Sequence, residues 1–197
     1  MDRQGKSGFG ARFHAWLMSH AGPRYDGLVR ARKEALLGAL CGDVLEIGPG
    51  TGPNLRYYAA GTRWIGVEPN PYMNSRLARA IAAAKLVAEI RGGAAEQLPV
   101  ADASQDAVVS TLVLCSVSDP QRALAEIRRV LKPDGQFIFL EHVAAEPGTR
   151  LRMIQNFLNP VSVRVADGCH PNRETWKLIE AAGFSRDRKS TRLNSSH

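Results

Sequence analysis

The run Val44-Leu45-Glu46-Ile47-Gly48-Pro49-Gly50-Thr51-Gly52-Pro53-Asn54 constrains the fold of this chain more than any other stretch. An apolar segment that breaks into glycines reads as a buried strand turning into a helix, with bare backbone that a ligand can approach. A dinucleotide fold would need G-x-G-x-x-G, with the pyrophosphate seated on a helix N-terminus. Here the spacing is G-x-G-x-G, and Pro53 stands where the third glycine of that fingerprint belongs. Glu68, which closes Trp64-Ile65-Gly66-Val67-Glu68, suits the ribose of either kind of cofactor. The decision therefore has to come from elsewhere in the chain.

Length limits the options. The 197 residues suffice for one well-cored α/β domain and fall short of two. A dehydrogenase would need a second substrate region or a Tyr-x-x-x-Lys pair, and none of Tyr25, Tyr57, Tyr58 and Tyr72 has lysine four places on. The apolar content of 44% is that of a soluble globular domain. No apolar run is long enough to span a membrane, and no basic start leads into an apolar core and cleavage site. The expected location is the cytoplasm. Cys41, Cys115 and Cys169 lie far apart without C-x-x-C, which excludes a disulfide framework and a zinc ribbon. Each is expected as a small buried residue, with no metal centre.

The net charge of +7 needs correction before it is read. Residues 187–197, DRKSTRLNSSH, lack hydrophobic periodicity and back-translate, one allowed codon per residue, into a common sequencing-adapter read. They are expected to be an artefact that interrupts the natural frame near Arg186. Setting aside Asp187, Arg188, Lys189 and Arg192 leaves +5, concentrated before Leu37 in Arg3, Lys6, Arg12, Arg24, Arg30, Arg32 and Lys33. No dense basic patch is interleaved with aromatics, so nucleic acid is not an expected partner. Phe9, Phe13, Trp16, Leu17 and His20 share one helical face. That stripe is read as a lid over the cofactor, with weak contact to a membrane surface as the alternative.

Strand signals recur at 43–47, 64–68, 86–90, 106–112 and 136–141. Helical segments are expected at 24–40, 54–58, 71–84, 120–131 and 172–182, and Lys132-Pro133-Asp134-Gly135 ends the fourth of these. Between 147 and 171 an inserted segment carries Leu151, Ile154, Phe157 and Leu158 at near-helical spacing. This β-α alternation predicts a mainly parallel sheet between helical layers, with the ligand at the carboxyl ends of the strands. The expected organisation is a helical lid over 1–42 and one domain over 43–186, with the fifth strand left at an exposed edge.

Four motifs occur in order: the glycine loop, the Glu68-Pro69-Asn70-Pro71 turn, Gly93-Ala94-Ala95-Glu96-Gln97-Leu98-Pro99, and Arg128-Arg129-Val130-Leu131-Lys132-Pro133-Asp134-Gly135. Together they resemble the Rossmann-like class I S-adenosylmethionine-dependent methyltransferases. That cofactor has no phosphate, so its loop needs close backbone approach more than an anion cradle. A narrower resemblance, over Val44 to Phe184, is carried by Ser110 to Val117, by Phe139-Leu140-Glu141-His142-Val143, and by Ala166-Asp167-Gly168-Cys169-His170 with Arg173-Glu174-Thr175-Trp176. These segments are similar to the methyltransferase-like alkyl thiol methyltransferases and their bacterial relatives.

The resemblance implies methyl transfer to a small-molecule thiol by a protein that works as a monomer. It implies that Gly48, Gly50 and Gly52 surround the methionine part of S-adenosylmethionine, with Glu46 near its amino group. Glu68 would take the ribose hydroxyls, Pro69, Asn70 and Met73 would wall the adenine, and Ala95 and Glu96 would meet its edge. Thr111, Leu112 and Cys115 would line the floor. Where related enzymes often have aspartate this chain has Ala94, which moves adenine recognition to backbone groups or to Glu96. A thiol acceptor has to lose its proton, and His142 after the fifth strand is the expected base, followed by Asp119, Asp167 and His170. Two further readings stay open: a lipid amine or quinone-like acceptor at a membrane surface, and a cofactor-binding module without catalysis.

Overall fold

The computed structural model describes residue 12 and residues 26–141, 144–166 and 168–184. The amphipathic stripe of Phe9 to His20, His142, Asp167 and the 187–197 tail lie outside them. Apolar strand segments separated by helices assemble into one five-stranded sheet with every pairing parallel. Its strands are β1 (Asp43–Ile47), β2 (Arg63–Val67), β3 (Val87–Arg91), β4 (Gln105–Thr111) and β5 (Leu131–Leu140), in the order β3-β2-β1-β4-β5. Helix α1 covers 26–37, followed by α2 (Asn74–Ala83), α3 (Pro120–Val130), α4 (Arg150–Val165) and α5 (Thr175–Ala181).

Alternation along the strands builds two cores, one on each face of the sheet. Leu45, Ile47, Val67 and Val108 pack with Ala123, Leu124, Ile127 and Val130 of α3 and Ile179 of α5. Val44, Trp64, Ala107 and Val109 point the other way and pack with Leu37 and Leu40, at and beyond the end of α1, and with Leu77 of α2. Helices on both faces make the three layers that the β-α alternation implies. The chain order reverses between β1 and β4, so their carboxyl ends splay and leave a crevice there.

Element boundaries differ from the sequence reading in two instructive places. Strand β5 begins at Leu131 because Gln105 pairs with Leu131 while Ala107 pairs with Gln136, so Lys132 to Gly135 bulge out between two stretches of one ladder. The proline-glycine stop ends α3 at Val130 but does not end pairing. The helix expected over 54–58 is a single 3-10 turn, Leu55–Tyr57, whose preceding Asn54 makes no side-chain cap bond. Its side chain is engaged inside the crevice. Strand β5 closes one edge of the described sheet, as expected.

At the opposite end of the strands, Arg63 holds Asp43 through two hydrogen bonds of 2.6 and 2.9 Å, and Lys132 lies 2.8 Å from Asp106 and 3.2 Å from Asp43. The network joins the starts of β1, β2, β4 and β5. Arg63 and, more weakly, Lys132 hold the Asp43 carboxyl down to about 2.

Candidate active site

A cavity of about 620 Å³ opens at the switch point and is built mainly from the loops that leave β1, β2 and β4. Of the residues expected to hold a cofactor, Glu46, Gly48, Gly50, Gly52, Glu68, Pro69, Met73, Ala95, Glu96, Thr111 and Leu112 line it. Asn70 and Cys115 do not. Asn70 is buried and its Oδ1 accepts from the Tyr72 N–H at 3.1 Å, which starts the 3-10 turn Pro71–Met73. Cys115 is buried one layer behind the wall formed by Val113, Ser116 and Val117.

The three glycines have separate duties. A Cβ on Gly50, at φ +58, would meet nothing within 4 Å, so this is where bare backbone faces open space. A Cβ on Gly52, at φ +82, would lie 2.7 Å from Leu55 and 2.9 Å from Ala80, so this glycine lets the loop sit against α2. One on Gly48 would press into Val113 at 2.8 Å. All three N–H groups are already donated: Gly48 to the Val67 carbonyl at 2.9 Å, Gly50 to Glu68 Oε2 at 2.8 Å and Gly52 to the Pro49 carbonyl at 2.9 Å. Glu68 also accepts from the Asn70 N–H at 2.8 Å, which ties the ends of β1 and β2 together.

Glu46, at the end of the cavity formed by β1, is only 2% exposed. It shares a sheet face with Trp64 and Thr111 and receives three neutral donors: Asn54 Nδ2 at 2.7 Å, Tyr58 OH at 2.8 Å and Trp64 Nε1 at 3.0 Å. Gly66 makes the last contact feasible, because any side chain there would overlap the Trp64 ring. Burial pushes the Glu46 carboxyl above the usual range, while its three donors and, more weakly, the Lys33 ammonium pull the other way. Asn54 Nδ2 also reaches Thr111 Oγ1 at 3.0 Å, and Asn54 Oδ1 is buried without a hydrogen-bond partner. A buried orphan acceptor beside a buried carboxylate calls for a ligand that donates hydrogen bonds and carries positive charge.

Two lining residues that the motif reading missed come from α1. Asp26 and Lys33, each 2% exposed, pair at 2.7 Å, and Arg56 and Tyr57 OH close on the second Asp26 oxygen. The signal was present: Asp26, Val29, Lys33 and Leu37 recur at the 3.6-residue period of one buried helix face. Asn54, beside the glycine loop, was the other legible omission.

The far wall is held by an unusual backbone and a further buried acid. Leu112 sits at φ +59, a conformation costly for a branched side chain, and its N–H donates to the Leu140 carbonyl at 2.8 Å. Glu141 Oε1 accepts from Ser110 Oγ at 2.6 Å and from the Val113 and Leu114 N–H groups at 3.0 and 3.1 Å. Arg173 Nη1 reaches the Leu114 and Val117 carbonyls at 2.6 and 2.8 Å.

The remaining candidates are engaged in holding the frame. Glu96 reaches the cavity, yet its Oε1 accepts from the Ser118 and Asp119 N–H groups at 2.8 and 3.3 Å. Asp119 is exposed and caps α3 through the Arg122 N–H at 3.0 Å. His170 donates its backbone N–H to the Cys115 carbonyl at 2.9 Å; burial, with Arg173 nearby, lowers its imidazole pKa. Cys41, expected to be buried, is exposed beyond the end of α1.

These features fit S-adenosylmethionine, the group implied by the sequence motifs. The cavity offers an open glycine backbone, an orphan acceptor and two carboxylates to a ligand with a cationic end and ribose hydroxyls. Glu46 and Asn54 would meet the ammonium, Gly50 the methionine chain and Glu68 the ribose.

Comparison with known proteins agrees. Residues 45–139 match the family described as methyltransferase domain. Over 147 residues the chain is 43% identical to thiol S-methyltransferase TMT1B of Rattus norvegicus, covering 72% of this chain and 59% of that protein. Over 184 residues it is 36% identical to the Homo sapiens TMT1B, covering 88% of this chain and 75% of that protein. It therefore spans less than two thirds of the rat relative's length and three quarters of the human one. The crystal structure of an S-adenosylmethionine-dependent methyltransferase from Thermotoga maritima superposes with a TM-score of 0.61 at 25% identity, covering 86% of this chain and 79% of that one.

Proposed function

Because the chain belongs to the class I S-adenosylmethionine-dependent methyltransferases, with thiol S-methyltransferases among its relatives, we propose that it methylates the sulfur of a small thiol. The observation that carries the cofactor half of this reading is the pairing of buried Glu46 with the orphan Asn54 Oδ1 at the end of β1. When bound, S-adenosylmethionine supplies a methyl group on a positively charged sulfur, activated for displacement.

The chain's own residues then have three tasks. The first is positioning: the glycine loop, Glu68 and the Leu112 turn hold the two reacting partners in one orientation, an effect that can lower a barrier by roughly 7 to 11 kcal/mol. The second is exclusion of water, for which Met73, Val113 and Val117 supply apolar wall. The third is removal of the acceptor's proton, since a free thiol ionises near pKa ~8.5. His142 keeps that role in this reading on its sequence position alone. The test is transfer of labelled methyl to a small alkyl thiol, with S-adenosylhomocysteine binding measured on the same sample. Turnover supports the reading, and binding without turnover on thiols rejects the acceptor.

One observation favours a second acceptor class, lipid amines or quinone-like rings. Helix α4 buries none of its residues, and Met153, Ile154, Phe157, Leu158, Val161 and Val165 are all exposed along one side, Phe157 to 82%. Exposed Arg150 and Arg164 flank this stripe, and α4 contains no acid. An apolar stripe bracketed by cations suits the surface of an anionic bilayer. Among the described residues no helix is long and apolar enough to cross a membrane. Cosedimentation with phosphatidylglycerol vesicles, retained by the parent and lost in Phe157→Ser, would favour this acceptor class; no binding by the parent would dismiss it.

A further inference from the structure

Two thiols that neither cofactor binding nor methyl transfer uses stand side by side behind the cavity wall. Cys115 follows β4 and Cys169 lies 54 residues later, in the loop between α4 and α5, yet their sulfurs are 3.6 Å apart and hydrogen-bonded. Their segments are already joined nearby, because the His170 N–H donates to the Cys115 carbonyl and Arg173 clamps the Leu114 and Val117 carbonyls. Closing to a disulfide of about 2.05 Å needs roughly 1.5 Å of approach, within reach of side-chain rotation in a loop.

We propose that Cys115 and Cys169 form an oxidisable dithiol site whose substrate is a hydroperoxide, and that its disulfide locks the cavity wall to the α4–α5 loop. The two sulfurs are not equivalent. Cys169 is half-buried, and the hydrogen bond it shares with Cys115 holds it down to about 7, with help from Ser162 and Ser116 and against burial and the nearby Glu141 carboxylate. Cys115 is pushed up by its bond to Cys169, by burial and by Glu141, and stays protonated. Cys169 is therefore the nucleophile. Its thiolate attacks the peroxide O–O bond, giving a sulfenic acid and an alkoxide that takes up a proton and leaves as alcohol. The Cys115 sulfur then displaces water from the sulfenic sulfur, with loss of its own proton. The pair gives up two electrons, the O–O bond is reduced by two, and alcohol and water leave.

Exposed Cys41 serves as internal control. The full chain is treated with one equivalent of cumene hydroperoxide, then alkylated, and its thiols are counted and mapped by mass spectrometry. The expected result is a fall from three free thiols to one, Cys41, with one peptide pair linking Cys115 to Cys169. In Cys115→Ala, which removes both the resolving sulfur and its hydrogen bond, Cys169 should stop at a dimedone-reactive sulfenic acid, and its alkylation midpoint should rise from near pH 7 towards that of a free thiol. Independently of any variant, phenylarsine oxide, which bridges paired thiols, should add once to the parent chain. Mapping that finds Cys115 still alkylated after oxidation, or Cys169 driven to sulfinic acid without a cross-link, overturns the proposal. So does a chain that adds no arsenical.

Discussion

Glu46→Gln separates binding from folding at this site. The parent carboxylate is buried among three neutral donors at 2.7 to 3.0 Å, and burial raises its pKa, so its charge is costly without a cationic ligand. A glutamine fits the same space. Its carbonyl can take the Trp64 and Tyr58 donors, and a turned Asn54 can present its orphan Oδ1 to the new amide. Stability should therefore change little. Ligand affinity should not be spared, because a hydrogen bond to a charged group is worth about 1.5–3 kcal/mol and a neutral one about 0.5–1.5. The difference of about 1–2 kcal/mol corresponds to roughly 5- to 30-fold in Kd. Calorimetry should show that loss for S-adenosylmethionine and S-adenosylhomocysteine. 5′-Methylthioadenosine, which lacks the amino-acid end, should bind parent and variant within about twofold, a difference below roughly 0.4 kcal/mol. An equal loss for all three ligands, or none for any, would refute the assignment of Glu46 to the ammonium.

Gly52→Ala should cost about 2–4 kcal/mol, since overpacking against Leu55 and Ala80 adds to left-handed strain, and a lowered denaturation midpoint would show it. Gly50→Ala carries only the strain, about 1–2 kcal/mol, but its methyl enters the open space, so ligand titration should show the larger loss there. For Asp43, a pKa depressed to about 2 gives stability that is present above the unfolded value and is lost as pH falls through the folded one. Asp43→Asn should therefore flatten the fall in unfolding free energy between roughly pH 4 and pH 2, measured in urea at each pH.

Most of the frame was legible because local rules and tertiary structure agree here. The glycine loop, the acids that close β1 and follow β2, and the parallel sheet all follow from short apolar runs punctuated by glycine and proline. Strand bounds held to within one residue except at β5, where pairing across a bulge outlasted the Lys132–Gly135 breaker. Contacts between distant segments were not legible. Cys115 and Cys169 read as unrelated buried residues, since no periodicity links positions 54 apart. Asp26 and Lys33 were missed for another reason: their place on the periodic face of α1 was legible, but the pairing that lets both charges be buried there was not. Glu96 and Asp119 show the converse, acids of catalytic type that the fold engages in holding the start of α3.

The charge layout settles the choice that the glycine spacing opened. A pyrophosphate is held by loop N–H groups at a helix start, but here the N–H groups of all three glycines are used internally, one of them on Glu68 itself. The next element is a single 3-10 turn rather than a helix with a dipole. A phosphate would also face the Glu46 and Glu68 carboxylates, two like charges in a partly dehydrated crevice. The nearby cations do not reverse this, because Lys33 and Arg56 both pair with Asp26. Pro53 in place of glycine was thus the outward sign of an inverted electrostatic design. The sulfonium and ammonium of S-adenosylmethionine meet the buried Glu46 carboxylate with the opposite sign, where a dinucleotide's pyrophosphate would meet it with the same one, while Glu68 suits the ribose of either.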